Sequence, residues 1–324
     1  RVKTSDADTN GTPVMVVGGG FSATDADGAL VAFIDVATGT QHWVFDAGDN
    51  SDMTHSIPSQ VVVVDLNNNG MADKVYVGDM GGQVFRLGRF TEADGVTQRP
   101  FPNTDENINT WEVTTLFDTA DTRKFFYPPS VTLEREFDLV FIGSGDRNDA
   151  CNPGTRDRIY VIKDDHTPTT YVDADLLDLT DPLAALPTFP TDNGYFIDLA
   201  SGEKILAKGM VFNKVFYISS FTPDNSDPCM PGGVSRLYAL AYKTGAAVID
   251  FDGDGQPDRS TEVGGGIPSK PVMIIPPEGD ARLLISVGST VPEINSEETT
   301  AGIAIIDPDL PDRNFFYLWW RDNM

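Results

Sequence analysis

Histidine, cysteine and recognisable catalytic motifs are scarce in this sequence of 324 residues. It contains three His and two Cys. It has no H-E-x-x-H pattern, no G-x-S-x-G elbow and no glycine-rich loop that opens a helix. Because these motifs supply the metal, the nucleophile or the phosphate cradle of many enzymes, their absence predicts that the chain is not an enzyme.

Positive charge and long apolar runs are also in short supply. The 23 Lys and Arg residues are outnumbered by 49 Asp and Glu residues, for a formal net charge of −26. Such a chain repels phosphate backbones and anionic headgroups, which argues against nucleic acid and membrane surfaces as partners. No run of about 18 apolar residues occurs, so no membrane insertion is predicted. The acidic excess favours cation binding.

The N-terminal residues and the two cysteines indicate where the protein resides. The chain starts without an apolar signal segment, and we expect it to be a processed part of a longer protein. Cys151 and Cys229 lie far apart in polar loops. One long-range disulfide in an oxidising compartment is the favoured interpretation, with two free thiols as the alternative.

Internal repetition predicts the fold. An apolar, β-branched run that ends at a small residue recurs five times, at intervals of about 60 to 76 residues: Val14–Gly18, Lys74–Gly78, Asp138–Gly143, Val215–Ser219 and Leu283–Gly288. Each is followed by a second strand-like segment: Leu30–Asp35, Gln83–Leu87, Arg158–Ile162, Arg236–Leu240 and Gly302–Asp307. Short apolar runs between Gly, Asp and Pro are typical of buried strands.

Five repeated strand pairs predict an all-β chain, a single β-propeller over residues 1–324 with about five visible blades. A β-sandwich is the competing fold, but it predicts shorter and less regular spacing. A hairpin is expected where Val31–Asp35 leads through a Thr38–Gly39 turn to a strand with Trp43. Long insertions are expected at Thr91–Asn109, Asp146–Arg156, Asp164–Thr191 and Thr222–Gly233. At most one helical turn is expected, within Asp173–Leu186.

A nine-residue acidic loop, Asp65–Asp73, has the spacing of a calcium site. Oxygen-bearing side chains occupy positions 1, 3, 5 and 9, and Gly70 occupies position 6, where such loops turn sharply. The predicted ligands are the side chains of Asp65, Asn67, Asn69 and Asp73, with the carbonyl oxygen of Met71 at position 7. Position 12 is Tyr76 rather than a carboxylate, so the loop is not a true EF-hand.

A second loop, Asp250–Asp258, repeats the spacing with more charge. Its predicted ligands are the side chains of Asp250, Asp252, Asp254 and Asp258 and the carbonyl oxygen of Gln256. Four carboxylates within nine residues repel one another unless a cation neutralises them. Oxygen ligands without nearby His or Cys favour calcium over zinc or copper, and magnesium fits an irregular loop less well. Ordinary polar turns are the alternative for both loops, and the favoured interpretation of Asp6–Gly11 and Asp25–Gly28.

The stretch Val62–Leu87, in which the first loop leads into A-D-K-V-Y-V-G-D-M-G-G-Q-V-F-R, resembles the most characteristic segment of the PilY/PilC family of type IV pilus proteins. Ala29–Trp43, the Cys229–Gly233 region and the terminal Trp319–Arg321 are also similar to that family. Asn69 stands where the family has Asp, which implies weaker calcium binding.

The resemblance implies the C-terminal propeller of a pilus biogenesis and tip factor, exported to the bacterial surface and associated with minor pilins or other tip proteins. It also implies that the protein promotes pilus assembly by opposing retraction, with calcium as the switch and adhesion to host or other surface ligands as a further role. Blades of quinoprotein dehydrogenases resemble the Thr38–Trp43 region as well, so a secreted dehydrogenase propeller is the alternative. The adjacent cysteines typical of that cofactor site are absent from the sequence.

Overall fold

The computed structural model describes residues 1–90, 107–224, 232–276, 281–288 and 302–308, apart from positions 6, 26, 121, 153, 155 and 307. In these ranges the regular structure consists of strands and two short 3-10 turns, Ile108–Thr110 and Asp173–Asp175. No helix within them has the length and apolar character needed to span a membrane.

The strands form five sheets that follow one another along the chain, here called blades 1 to 5. Blade 1 contains β1 (Val14–Gly18), β2 (Val31–Asp35) and β3 (Gln41–Phe45). Blade 2 contains β4 (Val62–Val64), β5 (Lys74–Gly78), β6 (Gln83–Gly88) and β7 (Glu112–Asp118). Blade 3 begins with β8 (Ser130–Leu133), β9 (Asp138–Gly143) and β10 (Arg158–Asp164).

The segment after β10 contributes to two blades. Its first strand, β11 (Tyr171–Val172), pairs in parallel with β7 at the edge of blade 2. Its second, β12 (Leu177–Asp178), pairs in parallel with β13 (Gly194–Asp198), which completes the antiparallel part of blade 3. The 3-10 turn between them places Asp173 beside Arg123, Arg158 and Tyr160. The predicted insertion at 164–191 therefore covers two sheet edges.

The last two blades complete the described strands. Blade 4 contains β14 (Lys204–Ile205), β15 (Met210–Phe212), β16 (Val215–Asp224), β17 (Gly232–Ala241) and β18 (Ser260–Gly265). Blade 5 contains β19 (Val272–Ile274), β20 (Arg282–Ser286) and β21 (Ile303–Ile306). The ten segments singled out in the sequence coincide with strand pairs β1–β2, β5–β6, β9–β10, β16–β17 and β20–β21, so the predicted repeats are confirmed.

Four hydrophobic cores lie between consecutive blades. Val75 and Val77 of β5 pack toward blade 1, whereas Tyr76 between them packs toward blade 3. In the same way, Leu139 of β9 packs toward blade 4 and Val140 toward blade 2. Successive residues of a strand point to opposite faces, so strands buried on both faces need continuous apolar runs. This face-to-face succession of blades is the predicted all-β propeller architecture.

The first hairpin also matches its prediction. Strands β2 and β3 pair antiparallel around the Thr38–Gly39 turn. Gly39 has φ of 71°, a left-handed conformation that glycine adopts without a Cβ penalty.

Candidate calcium sites and a buried polar network

Each predicted calcium loop connects two neighbouring strands of one blade, and the two loops belong to different blades. Residues 65–73 join β4 to β5 in blade 2, and residues 250–258 lie between β17 and β18 in blade 4. Strands β4, β5 and β6 alternate in direction, as do β16, β17 and β18. Because β5 and β16 occupy equivalent places in the repeat, the turn before β5 and the turn after β17 fall at the same end. Both loops therefore lie at one end of the propeller, here called the loop end.

The two loops share one hydrogen-bond scaffold. The carboxylate at position 1 accepts from the N–H at position 6, with distances of 2.7 Å for Gly70 N to Asp65 Oδ2 and 2.8 Å for Gly255 N to Asp250 Oδ2. The carboxylate at position 9 accepts from the N–H at position 2. Asp73 accepts from Leu66 at 2.6 Å, and Asp258 accepts from Phe251 at 3.2 Å.

The middle of each loop continues the correspondence. The side-chain oxygens of Asn67 and Asp252 at position 3 accept from the N–H at position 5, at 3.1 Å in both loops. Those of Asn69 and Asp254 at position 5 accept from the N–H of Met71 at 2.8 Å and of Gln256 at 2.7 Å. In both loops of different sequence, each predicted side-chain ligand thus accepts a hydrogen bond from a backbone N–H of its own loop.

Two left-handed residues in each loop make this winding possible. Positions 4 and 6 are Asn68 and Gly70 in the first loop, with φ of 57° and 84°. They are Gly253 and Gly255 in the second, with φ of 78° and 87°. Asn and Gly are the residues that adopt this conformation most readily, so the sequence selects the same backbone path twice.

Three of the four predicted carboxylate ligands of the second loop lie close enough together to hold one metal ion, and Asp258 is not among them. One carboxylate oxygen from each of Asp250, Asp252 and Asp254 lies within 4.8 Å of the other two. Oxygens that bind one calcium ion at about 2.4 Å can be at most about 4.8 Å apart. Hydrogen bonds from the backbone, that of Gly255 first, lower the pKa of Asp250, so its carboxylate is ionised at neutral pH.

The loops differ in their surroundings. Asp73 is only 2% exposed, and the N-terminal segment lies against the first loop, with Ala72 N donating to the carbonyl of Arg1 at 2.7 Å. In the second loop, residues 252–257 are all exposed. A cation in the first loop would therefore lie next to packed structure, whereas one in the second would face solvent.

The two acidic turns interpreted as ordinary turns have different arrangements. Asp8 accepts backbone hydrogen bonds from Thr4, Asn10 and Gly11, which closes a local turn. Asp25 instead contacts the His55 ring and the Ser56 N–H, so it joins a neighbouring segment.

A buried polar network lies between blades 2 and 3 at the loop end. Its members are Lys74, Tyr76, Arg86, Asp138, Asp164 and His166, and each is at most 3% exposed. Lys74 Nζ pairs with Asp138 and lies 3.2 Å from His166 Nε2, while Arg86 pairs with Asp164. Tyr76 Oη lies within hydrogen-bond distance of both carboxylates, 2.8 Å from Asp138 and 2.7 Å from Asp164, and its single O–H is shared between them.

The charges of this network compensate one another. Burial opposes ionisation of Asp164, but the adjacent positive charges, that of Arg86 first, bring its pKa to about 2. Burial and the two carboxylates hold the pKa of Tyr76 well above its usual value, so the phenol remains a donor. Asp138, Asp164 and His166 lie close enough together to hold a metal ion. The Lys74 ammonium and the Arg86 guanidinium already pair with its two carboxylates, however.

This network was not anticipated from the sequence. Lys74 directly follows Asp73, so the first loop continues into the network without an intervening residue. One sequence signal could have indicated it: charged residues lie within apolar runs or at their ends. Buried charges of that kind need partners, but the partners lie 62 to 92 positions away in the sequence.

A further buried carboxylate lies at the other end of blade 2. Asp79 follows β5, is fully buried, and accepts hydrogen bonds from Gly81 N at 3.0 Å and Gln83 N at 2.8 Å. Burial raises its pKa to about 7.

Three remaining predictions fall partly outside the described residues. Cys151 is exposed, and Cys229 lies outside the described residues, so their disulfide stays a prediction. The Trp319–Arg321 ending lies outside them as well. The insertion at 91–109 is described only from residue 107 onward.

Comparisons with known proteins agree with the family resemblance. A scan against protein-family models finds no match. The chain is 22% identical over 370 residues to the type IV pilus biogenesis factor PilY1 homolog of Xylella fastidiosa, a match covering 94% of this chain and 24% of that protein. The chain therefore spans about a quarter of this curated relative's length.

Solved structures support the fold. The crystal structure of the Pseudomonas aeruginosa PilY1 C-terminal domain has a TM-score of 0.58 at 17% identity, over 83% of this chain and 67% of that one. Saccharomyces cerevisiae Sqt1 gives a TM-score of 0.45 at 11% identity, over 95% of this chain and 58% of that one, too low to indicate a shared architecture. The matches to the Xylella fastidiosa PilY1 homolog and to the Pseudomonas aeruginosa PilY1 C-terminal domain confirm the resemblance to PilY/PilC-type proteins.

Proposed function

We propose that this chain is the calcium-binding propeller of a type IV pilus biogenesis factor, a binding and regulatory module rather than an enzyme. The matched relative is named as such a factor, and the match extends over 94% of this chain. We further propose that residues 1–324 form one domain and that the protein acts outside the cell, at the bacterial surface or pilus tip. Its partners would be minor pilins or other tip proteins.

The observation that carries the calcium proposal is the shared scaffold of the two loops. In both, backbone N–H groups hold the side-chain oxygens at positions 1, 3, 5 and 9 in the same pattern. A turn that is acidic only because turns are polar has no reason to repeat this pattern in two blades. Carboxylate, amide and carbonyl oxygens in a flexible loop are the ligand set that calcium prefers.

The position of the first loop offers a route from calcium to the body of the propeller. Calcium at Asp65 and Asp73 would neutralise two carboxylates that precede Lys74 in the chain. Lys74 belongs to the network that joins blade 2 to blade 3. The ion would thereby fix the junction of β4, β5 and blade 3, and with it the loop-end surface offered to pilus components. Opposition to retraction and adhesion would depend on that surface.

Calcium binding is tested by calorimetry and thermal melting of the chain in chelator, calcium and magnesium. We expect two calcium ions per wild-type chain. At about 100 times the dissociation constant of each site, each bound calcium ion should stabilise the native state by about 2.7 kcal/mol and raise the melting temperature by about 4 °C. Magnesium at equal concentration should give a smaller shift.

Single substitutions assign the two ions to the two loops. Asp65→Ala and Asp250→Ala should each remove one ion from the measured stoichiometry. Asp8→Ala is the matched control, because Asp8 also accepts backbone hydrogen bonds in an acidic turn but lacks the nine-residue spacing. If wild type bound no calcium, or if all three variants lost the same amount, the calcium proposal would be refuted.

The cellular role is tested in bacteria carrying the complete protein. Surface piliation and retraction are compared between wild type and a variant with Asp65→Ala and Asp73→Ala, across calcium concentrations. Piliation should depend on calcium in wild type and lose that dependence in the variant. Equal piliation of both strains at every calcium concentration would exclude calcium gating.

A further inference from the structure

A cavity of about 710 Å³ lies at the end of the propeller opposite the calcium loops. Chain segments next to the strands of four blades converge on it: Pro58–Gln60 before β4, Phe126–Pro128 before β8, Leu206–Lys208 between β14 and β15, and Ile267–Lys270 before β19. Such convergence is expected only near the axis, where the innermost strands of a propeller meet. Its volume is within the range of small-molecule sites.

The charge of this cavity is opposite to that of the protein. Arg147, Lys208 and Lys270 line it, and no Asp or Glu occurs among its described lining residues. Within the described part of the chain, no carboxylate pairs with the ammonium groups of Lys208 and Lys270. In a chain of net charge −26, most lysines would be expected to have acidic neighbours.

Two properties of Lys208 and Arg147 favour the binding of an anion in this cavity. Burial and the charge of Lys270 lower the pKa of Lys208, which means that its charged form lacks stabilisation in the free protein. Among the described residues, Arg147 has one side-chain hydrogen bond, of 2.5 Å from its guanidinium to Tyr127 Oη. The remaining donors of the guanidinium can bind a carboxylate.

The rest of the wall is apolar and aromatic. The Phe126 ring packs against Phe21 and Tyr127, with centroids 5.6 Å apart in both pairs. Ile267 is 40% exposed beside Pro268. Small-molecule sites commonly combine an apolar wall with a few converging polar groups.

We propose that this axial cavity binds organic carboxylates that carry an apolar or aromatic group, with Lys208 and Lys270 contacting the carboxylate and Phe126 contacting the apolar part. The carboxylate can come from a small molecule or from the C-terminus of an extended chain. The site is separate from the calcium loops, which lie at the opposite end of the blades.

The test compares two probes that differ in charge but hardly in shape. Binding of N-acetyl-phenylalanine and of its neutral amide is measured by ligand-observed NMR and calorimetry with the full chain. We expect the acid to bind at least ten-fold more tightly than the amide and to weaken as salt is added. A tetrapeptide that ends in the same residue identifies the source: tighter binding than the single residue indicates a chain terminus, and equal binding indicates a small molecule.

Three lysine variants assign the site. Lys208→Met and Lys270→Gln should each weaken binding of the acid about five-fold, the loss of one partly solvated charge contact. Lys214→Gln is the matched control, because this exposed lysine lies in the β15–β16 turn at the loop end. Equal binding of acid and amide by wild type, or no binding of either, would overturn the proposal without any variant. Equal weakening in all three variants would overturn the assignment of the site.

Discussion

Replacement of Asp79 by Asn should remove a pH dependence from the stability of this protein. Asp79 is fully buried in the turn between β5 and β6, and burial raises its pKa to about 7. In the unfolded chain the same carboxyl group titrates near its ordinary pKa of 3.8. Between these two values, the folded state binds more protons than the unfolded state, so stability falls as the pH rises.

The magnitude follows from the two pKa values. At about pH 5 the native group is almost entirely protonated and the unfolded group is almost entirely ionised, whereas near pH 8 both are ionised. The free energy of unfolding should therefore decrease by about 2.5 kcal/mol between these pH values through this group alone. Asn is neutral throughout and can still accept from the Gly81 and Gln83 N–H groups, so Asp79→Asn should lack this contribution.

Urea unfolding of both proteins, at several pH values and one fixed calcium concentration, measures the difference directly. Other carboxylates contribute equally to both proteins, and Asp164, with its pKa near 2, contributes stability that is lost only as the pH falls below about 4. The free energy of unfolding of Asp79→Asn relative to wild type should therefore increase from about pH 5 to about pH 8. Parallel pH profiles for the two proteins would refute the assignment of a raised pKa to Asp79.

Two further predictions concern a buried ion pair and the close packing of a glycine. Lys74→Met leaves Asp138 buried without its cation, so we expect the free energy of unfolding, measured in urea, to fall by about 3 to 5 kcal/mol. A fall of less than about 1 kcal/mol would show that Lys74 is not the main partner of the Asp138 carboxylate. Gly194→Ala should destabilise more than Gly39→Ala, since a Cβ at Gly194 would lie 2.1 Å from the carbonyl oxygen of Val161, whereas one at Gly39 meets nothing within 4 Å. Gly39→Ala should cost about 1 kcal/mol from its positive φ alone, and equal losses in the two variants would contradict this account.

The blade strands were predictable because their burial is symmetrical. A central strand of a blade is covered on both faces by the neighbouring blades, so its inner positions are all apolar, as residues 139–142 are in β9. Short edge strands lack this signal: β19 has three residues, two of them exposed, and it was not singled out in the sequence. The short strands β11 and β12 were equally invisible, since their pairing depends on edges contributed by other segments.

The backbone winding of the two acidic loops was predictable because it is local. All of the predicted ligands lie within nine consecutive residues, and their hydrogen bonds join residues at most seven positions apart. Asn or Gly at positions 4 and 6 selects the backbone path without help from the rest of the fold. Calcium occupancy itself stays a prediction.

By itself, the sequence determined the strand repeats, the turn chemistry and the register of the acidic loops, because spacing along one stretch of chain encodes each of them. Only the tertiary structure decided the Lys74–Asp138–His166 contacts, the burial of Asp79 and the basic axial cavity. These features bring together residues from different blades, and their pKa values and charge balance depend on solvent exclusion and on neighbours that no local pattern specifies.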